Sequence, residues 1–337
     1  MNNGRHMYIE RGTGNVVREQ LLGNAVISAL YSPALEKAAV LTRLASSRYM
    51  SRMLGYLNYD NLLSARATGM LRFLRESGIQ TSEFVGSLSE YDTPRKIFER
   101  QIRYWICRPM PENARAVVCP ADARTLVGST SDSSGLYLKQ KFFSFPELLG
   151  ERWQCDFEDA DYAVFRLTPE KYHYTHSPAC GRVLDFYAVD GRYHACNPNA
   201  TVQLVAAASK NRRFVTILDT DCPGGTGVGL VAMVEVVALM VGRIEQRYSD
   251  ERYESPQAIE PGMMLGRGNP KALFRPGSST VVLLFQRDRI RFADDLLANQ
   301  RRGGVETRFS LHLGEPLIET DVAVRSLLAL PREDQAC

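Results

Sequence analysis

No stretch of this chain is apolar for long enough to cross a bilayer. Its most hydrophobic window, residues 228–241, falls short of a membrane span and carries Glu235. A secretory signal is missing as well, because Arg5 and His6 are followed by no apolar core. These two absences lead to the expectation of a cytoplasmic protein, soluble or peripheral at a membrane surface. The seven cysteines (107, 119, 155, 180, 196, 222 and 337) form no CxxC, and an odd count leaves one over, which fits reduced thiols better than a disulfide framework. Charge of one sign is also lacking. Lys and Arg number 41 against 38 Asp and Glu, with the basic residues scattered, so nucleic acid is not an expected partner. Histidine is scarce, five in 337 residues, and that makes the close pair His173 and His176 a signal.

What remains is globular: 45% hydrophobic, 23% charged, without internal repeat or low-complexity tract, and long enough for one large or two moderate domains. From Val16 to about Arg103 the spacing is helical. Leu21, Leu22, Ala25, Val26, Ala29 and Leu30 recur at three-to-four spacing, as do Leu35, Ala38, Ala39 and Leu44, with Pro33 between the two sets. Further helices are expected at 65–75, at 82–89 with Ser82 as N-cap, and after Pro94. Beyond Pro111 short β-branched runs alternate with Gly, Ser, Asp and Pro, predicting strands at 163–167, 182–187, 214–219, 229–237, 280–285 and 307–313, with one late helix at 292–299. The fold class is therefore α+β. A helical N-terminal region, 1–105, precedes a mostly antiparallel β domain, 106–337, with a linker near 104–115.

Three places carry chemistry. The first is the turn Gly277-Ser278-Ser279-Thr280 opening into the apolar run Val281–Phe285, where a serine hydroxyl stands beside a peptide carbonyl with little bulk to shield it. The second is Leu167-Thr168-Pro169-Glu170-Lys171-Tyr172-His173-Tyr174-Thr175-His176-Ser177-Pro178, whose flanking prolines discourage the helix that would make His173, His176 and Cys180 a metal site. The third is Pro120-Ala121-Asp122, an acidic residue in a small-residue turn.

Together these pieces resemble the phosphatidylserine decarboxylase family along nearly the whole chain. Pro120-Ala121-Asp122 is similar to its PADG, residues 167–178 to its LSPxDYHRxHxP, and Gly277-Ser278-Ser279-Thr280 to its GST self-cleavage motif. Tyr8–Gly14, Ile97-Phe98-Glu99-Arg100 with Arg108-Pro109, Phe145–Gly150, and Gly304–Thr307 with Leu313-Gly314-Glu315 match other family segments, the last pair being the family's C-terminal strand pair and turn. The resemblance implies a self-processing enzyme in which Ser279 becomes a pyruvoyl group, with no metal and no pyridoxal phosphate. By motif position His176 is the base that takes the serine proton, Asp122 orients it, and His173 serves decarboxylation. Strand register favours Ser279 over Ser278 as the processed residue, since a slip of one residue turns a side chain to the other face. Cleavage at 278/279 divides the chain into a larger β fragment and a smaller α fragment, expected as a homodimer of processed αβ units.

Departures bear on substrate. Ala123 stands where the family has Gly, and Tyr174 replaces the Arg of YHR, removing a bidentate anion partner. Phosphatidylserine giving phosphatidylethanolamine and carbon dioxide is the expected reaction, with peripheral membrane contact through the amphipathic N-terminal helices. A soluble, aromatic or other L-amino acid is the alternative substrate. An unprocessed, non-enzymatic homologue is the alternative class.

Overall fold

The computed structural model describes residues 6–19, 53, 56–67, 69–129, 145–192, 210–237, 243–277 and 279–332. Its strands, in chain order, are β1 (Met7–Glu10), β2 (Val16–Arg18), β3 (Val117–Val118), β4 (Ala123–Ser129), β5 (Asp161–Leu167), β6 (Tyr174–His176), β7 (Gly181–Val189) and β8 (Arg213–Asp219), followed by β9 (Leu230–Val237), β10 (Ile244–Gln246), β11 (Met264–Leu265), β12 (Pro270–Phe274), β13 (Ser279–Phe285), β14 (Ile290–Phe292), β15 (Glu319–Val322) and β16 (Leu327–Pro331). Ten of them form one sheet in the order β11-β7-β8-β9-β13-β5-β4-β15-β1-β2. Two three-stranded sheets, β10-β12-β6 and β14-β16-β3, complete the β structure.

Strand β13 lies inside the large sheet, antiparallel to β5 on one side and to β9 on the other along all seven of its residues. Both its faces are buried, which is why Ser279–Phe285 reads as an unbroken apolar run after its hydroxyls rather than as alternation. Val281, Leu283 and Phe285 belong to one core cluster, with Val183, Ala272 and Phe274, while Val282 and Leu284 belong to another, with Leu148, Phe157 and Phe309. Ser279 has the parity of Val281, so its side chain shares the face that carries Phe274.

The described residues do not clearly bear out a helical N-terminal block. The described residues open with two strands, and β1 runs parallel to β15 within the large sheet. A buried cluster fastens them: Arg166 reaches Glu19 (2.9 and 2.8 Å) and Glu319 (2.9 and 2.6 Å), and His6 Nε2 meets Glu319 at 2.9 Å. His6, Glu19 and Glu319 are metal-ligating types drawn together, but the Arg166 guanidinium takes both carboxylates. The helices expected from Leu21 to Leu44 lie outside the described residues. Those that follow are short: α1 (Leu62–Ala67) and α2 (Met70–Glu76), separated at Gly69 with φ +75°, then α3 (Pro94–Phe98) and α4 (Tyr104–Cys107). Residues 82–89 do not form a continuous helix. Ser87, not Ser82, caps a single 3₁₀ turn at 88–90.

Helix α5 (Phe145–Leu149) and helix α6 (Asp294–Gln300) precede one further correction. The expected strand at 307–313 is helix α7 (Arg308–Leu313). The Thr307 side chain accepts the Ser310 N–H at 2.9 Å and Gly314 ends the helix at φ +77°, local signals that outrank the apolar alternation of the segment. The Gly304–Glu315 match is accordingly a helix and its cap, not a strand pair.

Candidate active site

Strand β6 and the loop before it carry both histidines. Tyr174 pairs with Leu273 of β12 and Thr175 with Ala272, while the Phe274 N–H donates to the His173 carbonyl at 3.0 Å. This pairing sets His173 beside the turn that leads from β12 into β13. Arg275 pins that turn: it holds Glu245 at 2.9 and 3.0 Å and also meets Glu99. Gly277 has φ +147°, a conformation that side chains disfavour, directly before the serine pair. Ser278 lies outside the described residues. Ser279 is fully buried and paired with Leu167 and Val237, and among the described residues its Oγ has no hydrogen-bond partner.

The His173 Nδ1–H donates to the Lys171 carbonyl at 2.7 Å, which fixes the tautomer and leaves Nε2 without a hydrogen; that nitrogen is buried and, among the described residues, unpartnered. Its ring stacks on Phe98. Burial, helped by the charge of Arg100, holds this imidazole well below its ordinary pKa, so it is a neutral ring with a free lone pair. His176 is held differently. Its Nδ1–H donates to the Gly268 carbonyl at 2.8 Å and its Nε2 meets the Tyr172 hydroxyl at 2.9 Å. Burial lowers its pKa to about 3 against the pull of the Gly268 carbonyl, with Arg325 adding to the lowering.

Asp122 sits at the start of β4 and is tied by charge. Arg108 Nε and Nη2 donate to its two oxygens at 3.0 and 2.8 Å, and the Val324 N–H donates at 2.7 Å. Burial alone would raise its pKa, but Arg108 overrides burial and keeps the carboxylate below the usual range. The structure thus brings the Asp122 loop against β6, with the His176 N–H donating to the Pro120 carbonyl at 2.7 Å, while the carboxylate bonds Arg108 rather than either imidazole. Arg108 continues to Glu83 at 2.8 and 3.0 Å.

Several of the residues that build this site were in view only as motif letters, or not at all. Phe98 and Arg108 belong to quoted segments, but nothing in their spacing says that one stacks on His173 and the other holds Asp122. Tyr253, Glu235 and Lys271 carried no signal. Lys271 and Glu235 are fully buried and bonded at 2.7 Å, and Glu235 also accepts from Thr175 at 2.6 Å, between the two histidines. Tyr174, in the position of the missing Arg, is buried and stacks on Tyr172.

A family model, phosphatidylserine decarboxylase, matches residues 95–319 and so takes in Asp122, both histidines and Ser279. The chain belongs to the phosphatidylserine decarboxylase family. A phosphatidylserine decarboxylase proenzyme of Chlamydia felis is 31% identical over 303 residues, covering 89% of this chain and 94% of the relative. Another from Fusobacterium nucleatum is 25% identical over 321 residues, 94% of this chain and 98% of that one. A third, from Ruminiclostridium cellulolyticum, is 25% identical over 292 residues, 86% and 90% of the two chains. The family is one of carboxy-lyases and works in phospholipid metabolism. Among the described residues no helix is long and apolar enough to cross a membrane.

Proposed function

We propose that this protein is a self-maturing, pyruvoyl-dependent decarboxylase acting on phosphatidylserine. The observation that carries the reading is a pair of buried polar atoms in one site, unpartnered among the described residues, Ser279 Oγ and His173 Nε2, beside a glycine at φ +147°. An unbonded buried hydroxyl costs on the order of 1–3 kcal/mol, and a hydroxyl required to attack its own chain has reason to stay unbonded. In maturation the Ser279 oxygen bonds the carbonyl carbon of the preceding peptide while the C–N bond breaks. The base holds the hydroxyl proton and returns it to the departing nitrogen; loss of the Cα proton then eliminates the carboxylate of the fragment ending at 278, and water hydrolyses the resulting imine to the pyruvoyl ketone with release of ammonia. His176 is that base by motif position, and Asp122 favours its charged form only from a distance, its own oxygens being held by Arg108 and the Val324 N–H.

The residues present fit a pyruvoyl group, which would be held at position 279 between Leu167 and Val237. When formed, such a group withdraws electrons from the substrate's α-carbon so that carbon dioxide can leave. His173, whose Nε2 is bare at rest, would take the proton that the incoming substrate ammonium gives up and then deliver it to that carbon. Its Nδ1–H bond to Lys171 aims Nε2, and the Phe98 face keeps water from the ring.

A second assignment, in which His173 is also the base of maturation, is favoured by its bare Nε2, since His176 has both ring nitrogens engaged. Intact mass under denaturing conditions tests maturation: two fragments split at 278/279 are expected, and a single chain from active protein would sink the reading. Carbon dioxide release from a panel of phosphatidylserine and free L-amino acids tests the substrate, and release from an amino acid alone would overturn the lipid.

A further inference from the structure

We propose that Tyr172 and Tyr253 are positioning residues that let His176 hold the proton released in self-cleavage, through a buried hydrogen-bond chain in which the Tyr172 hydroxyl turns round. This rests on the reading in which His176 is the base of maturation.

Four contacts follow one another: the Gly268 carbonyl to His176 Nδ1 (2.8 Å), Nε2 to the Tyr172 hydroxyl (2.9 Å), that hydroxyl to the Tyr253 hydroxyl (2.8 Å), and Tyr253 to the Ile102 carbonyl (2.9 Å). Each needs one hydrogen. A neutral imidazole and two phenols supply three. The carbonyl of Gly268 can only accept, so the ring hydrogen sits on Nδ1. Tyr253 donates to the Ile102 carbonyl and Tyr172 donates to Nε2, so the Tyr172 and Tyr253 oxygens face each other with no hydrogen between them. The Ile102 N–H, which donates to Tyr253 at 3.1 Å, fills a lone pair on the phenol but not this gap.

One added proton on the ring fills every contact. Nε2–H donates to Tyr172, Tyr172 to Tyr253, and Tyr253 still to Ile102, with the Tyr172 hydroxyl turned around and no heavy atom moved. The chain therefore favours the imidazolium, and this is support the ring otherwise lacks. Burial and the cations Arg325 and Arg108 oppose charge there, the Tyr104 ring packs edge-on at 4.8 Å, and Asp122 helps only from a distance because Arg108 and Val324 hold its oxygens. In a serine–histidine pair the imidazolium is normally stabilised by a carboxylate on the far nitrogen. Here that nitrogen meets a carbonyl, and two phenols do the work from the other side.

The test compares Tyr253→Phe with wild type in two readouts, the rate at which fragments appear from freshly made precursor, followed by mass, and turnover per pyruvoyl group in the matured fraction. The proposal expects fragment formation at least about tenfold slower, with turnover per pyruvoyl group changed by less than about threefold, because the proton on His176 belongs to maturation alone. Tyr172→Phe, which leaves the Tyr253–Ile102 contacts in place, should show the same split and decides the matter if Tyr253→Phe does not fold. Fragment formation at the wild-type rate, or equal loss of both readouts in both variants, overturns the proposal. Failure of the underlying reading looks different: wild type that never yields fragments, or maturation that survives His176→Ala and stops with His173→Ala.

Discussion

The imidazole of His173 lies flat on the ring of Phe98, centroids 3.5 Å apart and planes 26° apart. Phe98 is the last residue of α3 and is fully buried against Tyr59 and Leu74, so a short helix outside the sheets sets the plane of a side chain proposed to carry a proton. Replacing Phe98 by Leu keeps the apolar volume and removes the stack, worth about 0.5–1.5 kcal/mol. Turnover should fall several-fold while fragment formation persists, measured as carbon dioxide release per processed chain. Phe98→Ala should also cost about 3–5 kcal/mol of stability by opening a cavity, read from urea unfolding.

Separating the two histidines is the sharpest check on their roles. His173→Ala should still give both fragments and lose turnover by at least about a hundredfold, whereas His176→Ala should fail first in fragment formation. If both rings only pack the strand, each substitution lowers stability by about 1–3 kcal/mol and moves the two activities together. Ser279→Ala should leave one uncut chain at any incubation time.

Acid should unfold the protein through its histidines before its carboxylates. Both rings have folded pKa values below their unfolded value near 6.5, His176 at about 3, so the unfolded state binds more protons as pH falls. The stability this represents is fully present above about pH 6.5 and is lost as pH drops toward 3, by up to about 1.4 kcal/mol per pH unit for each ring. Asp122, whose pKa is lowered from 3.8, adds to the loss only below about pH 4. The thermal midpoint should therefore slope downward between pH 6.5 and 4, and His173→Asn/His176→Asn protein should flatten the slope. An unchanged slope would contradict the burial of both rings.

The pair Lys271–Glu235 makes a prediction about stability alone. Lys271→Met strands a buried carboxylate and should cost about 3–5 kcal/mol, while Lys271→Met/Glu235→Leu should recover most of that loss. Denaturant midpoints of the three proteins decide it.

The sequence announced β13 well, because a strand buried on both faces writes an apolar run that no loop or surface helix imitates. It announced His173, His176 and Ser279 by scarcity and by motif. It was misleading at 307–313, where the alternation of Thr307, Phe309, Leu311 and Leu313 suggested a strand and the Thr307 cap made a helix instead. Contacts such as Tyr172 to Tyr253, 81 residues apart, and Tyr253 to Ile102, 151 apart, leave no local trace, since periodicity records which face a residue shows and not which distant residue meets it.

A chain cut just ahead of β13 would start its smaller fragment inside the large sheet, zipped to β5 and β9 on either edge. The two pieces could then part only by unfolding the sheet, and a matured protein, once denatured, would face a refolding step that needs two chains to meet. Its persistence would be governed by how slowly the sheet opens rather than by an equilibrium it can return to. Maturation of this kind would convert a chain that can fold by itself into a pair that folded together only once.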